Sequence, residues 1–182
     1  MSKAVRYVAL LRGINVGGNR MIKKEELQAV FEGSGFTDVR TVLASGNIVF
    51  NSDHGDEAEL QQKIETALED RLGYRVDVMV RTIAYLNELV EMDPFARAAE
   101  WDDVKLYVTF LTEGPDAVPE LPVDLGDQNA LALALHDREF FAVSRKGRDG
   151  RYGDFAPFIR KAFGKQPVTT RNWRTIVKLA GM

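Results

Sequence analysis

The chain has 182 residues, a formal net charge of −3, and 45% hydrophobic against 28% charged residues, an ordinary balance for a globular protein with a sizeable core. It contains no cysteine, which excludes disulfides and thiolate metal sites and removes any argument for an oxidising compartment. No run approaches the roughly 18 apolar residues of a membrane span, and the opening MSKAVRYVALLRG lacks the apolar length and cleavage site of a signal peptide, so a cytoplasmic protein with no membrane partner is expected.

In chain order, Tyr7 to Leu11 is a continuous apolar run, the pattern of a strand buried on both faces. A glycine-rich turn follows, then a helix over Lys23 to Glu32 with Leu27, Val30 and Phe31 on one face and Gly33 or Gly35 to end it. Val39 to Leu43 and Ile48 to Phe50 read as two strands of a hairpin across Ala44, Ser45, Gly46 and Asn47. From Asp56 the apolar residues recur at Leu60, Ile64, Leu68 and Leu72, a helix that Gly73 closes. Arg75 to Arg81 then alternates, with Val76, Val78 and Val80 on one face and Asp77, Met79 and Arg81 on the other.

That order is β-α-β-β-α-β, the ferredoxin-like arrangement. A linking helix, Ile83 to Met92, ends at Asp93-Pro94. In the second half Leu106 to Leu111 is a strand and Pro115 to Pro122 a loop or short helix. Leu131 to Leu135 and Phe140 to Val143 pair across a turn at His136-Asp137-Arg138, and Asp154 caps a helix that Gly164 stops. An extended piece near Val168 precedes a last helix. The expected fold is α+β: two ferredoxin-like (βαββαβ) α/β-plait units packed together, with antiparallel sheets and helices on one face. The first unit spans 1–81, a linking helix and loop 82–104, and the second unit, with its C-terminal helix, 105–182.

Charge is unevenly distributed. Residues 1–24 hold six basic and no acidic side chains, and residues 145–182 hold ten basic and two acidic ones, so the ends carry +14. The middle holds eight basic and 25 acidic side chains, or −17. Either the ends meet and form one positive surface that focuses anionic partners, or the charges are solvated faces that happen to fall in blocks.

Two stretches have the chemistry of anion sites. In LLRGINVGGNR, Leu10 to Arg20, Gly13, Gly17 and Gly18 let the backbone approach a bound group, and the helix that follows offers the positive end of its dipole. Arg12 and Asn15, with Asn19, are placed to complete the shell. The spacing matches neither a nucleoside triphosphate loop nor a dinucleotide fingerprint, and a tight turn with no ligand explains the same glycines. At the other end, Thr170 reads as an N-cap with Arg171 and Asn172 in the first helical turn, where a cation opposes the dipole unless an anion is near. Trp173, Ile176, Val177 and Ala180 share one buried face. Ser45 and Asn47 present a hydroxyl and an amide at the hairpin, although turns select these residues in any case.

LLRGINVGGNR, GFTDVRTVLASGNIVF (Gly35 to Phe50) and TTRNW (Thr169 to Trp173), in this order and spanning the chain, resemble the three signature stretches of the bacterial family named domain of unknown function 1697. The resemblance implies a two-unit α/β fold and no assigned activity. Val42, where an aromatic is common, and Arg174, where a small polar residue is common, depart from the pattern.

The functional expectation is binding of a phosphate-bearing or other anionic small molecule or nucleotide at one site formed by the N-terminal Gly-rich loop and the C-terminal helix start, with Arg12, Asn15, Gly17, Gly18, Ser45, Asn47, Thr170, Arg171 and Asn172 as its binding residues. One alternative is a nucleic-acid module using the basic RKGRDGRYGDFAPF stretch (Arg145 to Phe158), with Tyr152 stacking on a base. The other is a protein-interaction or self-association module. His54 and His136 have no partner at metal-ligand spacing, so no metal site is expected, and no hydrolase nucleophile motif is present. The residues assign no reaction, cofactor or oligomeric state.

Overall fold

The computed structural model describes residues 4–15, 21–43, 46–53, 55–98, 101–117 and 119–182. The chain divides into two compact units, Met1–Glu88 with Lys178–Met182, and Leu89–Val177. It is a mixed α+β protein with two antiparallel sheets and, among the described residues, five α-helices.

In the first unit the elements are β1 (Val5–Leu11), α1 (Lys24–Gly33), β2 (Thr37–Thr41), β3 (Asn47–Ser52), α2 (Glu57–Leu72) and β4 (Val78–Thr82). The strands lie in the order β2-β3-β1-β4, every neighbouring pair antiparallel. Helix α2 is bounded by local chemistry: the Asp56 carboxylate accepts from Glu59 N–H at 2.9 Å, and Gly73, at φ 75°, takes the left-handed conformation that ends it.

Alternation along the strands gathers Tyr7, Ala9, Leu11, Ile48, Phe50, Val78 and Val80 into one core with Leu27 and Phe31 of α1 and Leu60, Ile64 and Leu68 of α2. Phe50 anchors it, with the rings of Tyr7, Phe31 and Phe36 centred 4.6–5.7 Å from its own. The alternate residues Val8, Leu10, Val49 and Met79 are fully buried too, and with them Arg81, only 1% exposed. The Arg81 guanidinium donates to Val80 O at 2.8 Å and lies 4.0 Å from the Glu57 carboxylate. The chain's last residue returns to the first strand, where Arg6 donates to Met182 O, Asp38 and Asn51. Hydrogen bonds from Arg40 and Arg6 hold the Asp38 carboxyl below its ordinary pKa.

Helix α3 (Ile83–Glu91) follows β4 without a break, and Thr82 Oγ1 accepts from Tyr85 N–H at 3.0 Å. The second unit contains β5 (Val104–Leu111), β6 (Val123–Asp124), β7 (Ala130–His136), β8 (Glu139–Arg145), α4 (Ala156–Phe163) and β9 (Val168–Asn172), and α5 (Trp173–Ala180) begins where β9 ends. Its sheet order is β6-β7-β8-β5-β9, also antiparallel throughout. Leu111, Ala130, Ala132, Phe140 and Ala142 pack with Phe155, Ile159 and Phe163 on the α4 side.

Some sequence expectations are corrected. The helix expected over Asp154 to Phe163 starts two residues later, at Ala156, whose N–H donates to the Asp154 carboxylate at 2.9 Å. Thr170 is not an N-cap, and Arg171 and Asn172 are not in a helical turn. All three lie in β9, because Val168, Thr169 and Thr170 are β-branched and pair with Leu111, Phe110 and Thr109 of β5. The capping role falls to Asn172, whose side-chain oxygen accepts from Arg174 N–H at 3.0 Å. No described helix is long and apolar enough to cross a membrane.

Leu68→Ala, at a site with no exposure on the inner face of α2, is expected to lower unfolding free energy by about 2–5 kcal/mol. Asp56→Ala, which removes only the cap, is expected to lower it by about 1 kcal/mol. Urea denaturation of the two variants checks this ranking.

Candidate functional site

The end of β1 and the β2–β3 hairpin are joined by backbone bonds. Leu11 N–H donates to Gly46 O at 2.8 Å, and Arg12 N–H donates to Asp77 O at 2.9 Å, so the chain leaving β1 is held from both sides. Gly46 takes φ 72°, and a Cβ there would lie 3.1 Å from Leu11 Cβ and 3.3 Å from Leu11 O, so glycine answers both the conformation and the close approach. Asn47 grips the hairpin twice. Its carbonyl accepts from Val42 N–H at 2.8 Å, and its buried amide donates to Val42 O at 3.0 Å. This turn therefore selects Asn47 for a hydrogen bond across the hairpin.

Asn15 does a parallel task. At φ 56°, a conformation asparagine tolerates better than most residues, its side chain accepts from Ile22 N–H at 2.8 Å and donates to Ile22 O at 3.3 Å. The amide thus satisfies both backbone groups of Ile22 and sets the entry to α1. Lys23 is the N-cap of that helix and supplies no side-chain hydrogen bond.

Between these pieces lies a cavity of about 440 Å³, lined by Asn15, Met21, Ile22, Lys24, Leu27, Thr41, Leu43, Gly46, Asn47 and Ile48. Among the described residues its walls are mainly apolar, and the polar side chains that line it belong to Asn15, Asn47, Thr41 and Lys24, whose ammonium approaches Glu25 at 3.7 Å. A concave, mostly apolar space with few convergent polar groups can hold part of a small molecule and orient one end of it.

The structure brings Asn15 and Asn47 to this one cavity from separate signature stretches. Gly17, Gly18 and Ser45 lie outside the described residues, as do Asn19 and His54. Arg12 is not among the described residues that line the cavity. Its guanidinium is 3.1 Å from the Asp77 carboxylate, which also receives Arg75 at 3.3 Å. Sequence reasoning missed Lys24, Thr41 and the apolar wall of Ile22, Leu27 and Ile48. The helical spacing of Leu27 was visible, but only the fold shows that its helix start opens on the hairpin.

In the second unit, Thr170 Oγ1 is 2.8 Å from Thr109 Oγ1. Arg171 is buried, donating to Thr169 Oγ1 at 2.6 Å and to Thr170 O at 3.1 Å, and burial pushes its guanidinium down to about 10, so it remains a cation at neutral pH. Trp173 packs edge-on against Phe95 and Phe141, a core role. Beyond Arg145, which ends β8, the basic 146–152 segment is a compact loop, with Gly147 N–H donating to Arg151 O and a bridge between Lys146 and Tyr152. One face of the Tyr152 ring carries the Lys105 ammonium at 3.9 Å, which occupies the surface on which a base would stack.

Compared with protein families, residues 5–141 match the one described as "Protein of unknown function (DUF1697)". Among solved structures the chain is similar to "conserved bacterial protein SP0830 from Streptococcus pneumoniae", with a TM-score of 0.67 and 20% identity over 98% of each chain, a likeness of fold. The comparison with curated proteins gives no match.

Gly46→Ala is expected to destabilise the chain more than Gly13→Ala. Both glycines have φ near 70°, which costs a side chain about 1–2 kcal/mol, but only Gly46 has Leu11 in the path of a Cβ, whereas Gly13 has nothing within 4 Å. Equal shifts in urea midpoint for the two variants would contradict the docking of the hairpin on β1.

Proposed function

The chain belongs to the DUF1697 family, whose description assigns no activity, and from its own geometry we propose that it binds an anionic small molecule or nucleotide in the cavity between the start of α1 and the β2–β3 hairpin. The observation that carries this reading is that two separate signature stretches converge on one cavity of about 440 Å³, within the few-hundred-Å³ range of small-molecule sites. Asn15 and Asn47 are fixed by their own hydrogen bonds, so the floor is organised before a ligand arrives.

Anion preference is argued from charge and helix direction. Lys24, the first residue of α1, stands at the positive end of the helix dipole, and its ammonium adds a full charge there. Its approach to Glu25 is exposed on both sides, and such a pair is worth about 0–1 kcal/mol, so an incoming anion has little to displace. Thr41 offers a hydroxyl that donates or accepts. The apolar wall takes an uncharged part of the ligand, a base or an aliphatic body.

The same reading treats each unit as a ferredoxin-like α/β plait acting in the cytoplasm. The plait is supported by the shared strand order, β2-β3-β1-β4 in the first unit corresponding to β7-β8-β5-β9 in the second with β6 added at the outer edge, and the location rests on the cysteine-free composition alone.

Calorimetry with inorganic phosphate, a nucleoside monophosphate and an aliphatic monocarboxylate tests the proposal. At least one is expected to bind, and Lys24→Ala is expected to weaken it about tenfold, or ~1.4 kcal/mol, with an unchanged melting temperature. No binding, or equal affinity before and after the substitution, removes the reading.

A further inference from the structure

Set side by side, the two units differ in one place. Strands β1, β2, β3 and β4 have counterparts in β5, β7, β8 and β9. Helix α2 corresponds to α4, each joining the third strand to the fourth, and α3 corresponds to α5, each starting where the fourth strand ends. Helix α1 has no counterpart. Between β5 and β7 the described residues hold only the two-residue β6 and a short 3-10 turn, Gly126–Gln128.

In the first unit α1 occupies the space beside α2, with Leu27 and Phe31 buried in the shared core and Glu26 of α1 paired with Arg71 of α2 at 3.0 Å. In the second unit Leu121, Val123 and Leu125 of the crossover pack on the core beside α4, and a groove of about 450 Å³ remains between that stretch and the helix. Val123 and Leu125 of the crossover form one wall, and Phe158, Lys161 and Ala162 of α4 the other. Phe158 and Ala162 are spaced by four, so they form an apolar stripe beside the inward-facing Ile159 and Phe163. Phe158 is held in place by stacking on Phe140 at 5.6 Å, and its outer part is left half-exposed. Lys161 stands exposed at the rim with no ion pair among the described residues.

We propose that this groove docks an amphipathic, acidic helix of a partner protein in the place that α1 fills within the first unit. The occupant's chemistry follows from that internal template. An apolar pair at i and i+4 would enter between Phe158 and Leu125, and a carboxylate one turn away would reach Lys161 as Glu26 reaches Arg71. Lys161, the one cation among the described residues lining the groove, complements a carboxylate on such a helix.

The template also supplies the probe, a synthetic peptide of residues 22–36 of this chain, labelled and titrated into the full-length protein by fluorescence polarisation and by ¹H–¹⁵N NMR. Binding is expected to perturb Phe158, Ala162, Val123 and Leu125. Lys161→Glu should weaken it at least fivefold, and a peptide carrying lysine in place of Glu25 and Glu26 should recover the loss. No binding, shifts confined to other residues, or indifference to Lys161→Glu with the protein still folded would each overturn the proposal. So would saturation of the groove by an anionic amphiphilic dye such as anilinonaphthalene sulfonate without any peptide binding, because that outcome assigns it to small ligands.

Discussion

The hydrogen bond from Leu11 N–H to Gly46 O, with the absence of a Cβ at Gly46, is the contact on which the rest of the first unit's site depends. It draws the tip of a hairpin against the end of the central strand at a separation where a Cβ would crowd Leu11, in a left-handed conformation that suits glycine. Asn47 then locks the hairpin through Val42, and Asn15 locks the loop through Ile22. The cavity is the space left between these two clamps and the first turn of α1. Its polar floor is a consequence of folding: the amides that could face a ligand are the ones that hold the backbone. Such a floor is rigid, and a site built on it has little left to order when a small molecule enters.

The local part of this was legible in the sequence. Asp56 and Gly73 bound α2 as their chemistry requires, and Leu60, Ile64 and Leu68, spaced by four between them, face the core. The hairpin around Gly46 was visible from its turn residues, and the order of elements in the first half followed from a change of period between strands and helices. What the sequence could not show was which side of a strand stays dry. Met79 and Arg81 alternate with valines and fall on the opposite face with Asp77, and both are buried. Alternation separates two faces of a sheet but does not say whether the second one meets water.

The C-terminal motif shows a different ambiguity. Thr-Thr-Arg-Asn suits a helix cap and an edge strand alike, since threonine favours both. Pairing with β5 decides for the strand, and the cap moves to Asn172. A two-residue strand such as β6 carries no periodic signal and is found only from its partners Leu131 and Ala132. Asn15 and Asn47 were readable as candidates because each lies in a glycine-bearing polar turn. Lys24 and Thr41 were not, because nothing local distinguishes them from surface residues until the hairpin and the helix start converge.

The two units share a strand plan and the device of a strand that runs directly into a capped helix, at Thr82 and at Asn172. In each, the strand residue before the cap is a buried arginine, Arg81 or Arg171, which donates to the carbonyl of the preceding residue and lies opposite Val8 or Val108. Repetition at this level places the difference between the units in the crossover after the first strand, which builds the cavity in one and the groove in the other. The central claim is that the first of these spaces receives an anion. The most direct measurement is a crystal structure of the chain soaked with a nucleoside monophosphate: the account predicts electron density for the phosphate within hydrogen-bond distance of the Lys24 ammonium and Thr41 hydroxyl, and ordered ligand elsewhere with this cavity holding only solvent would contradict it.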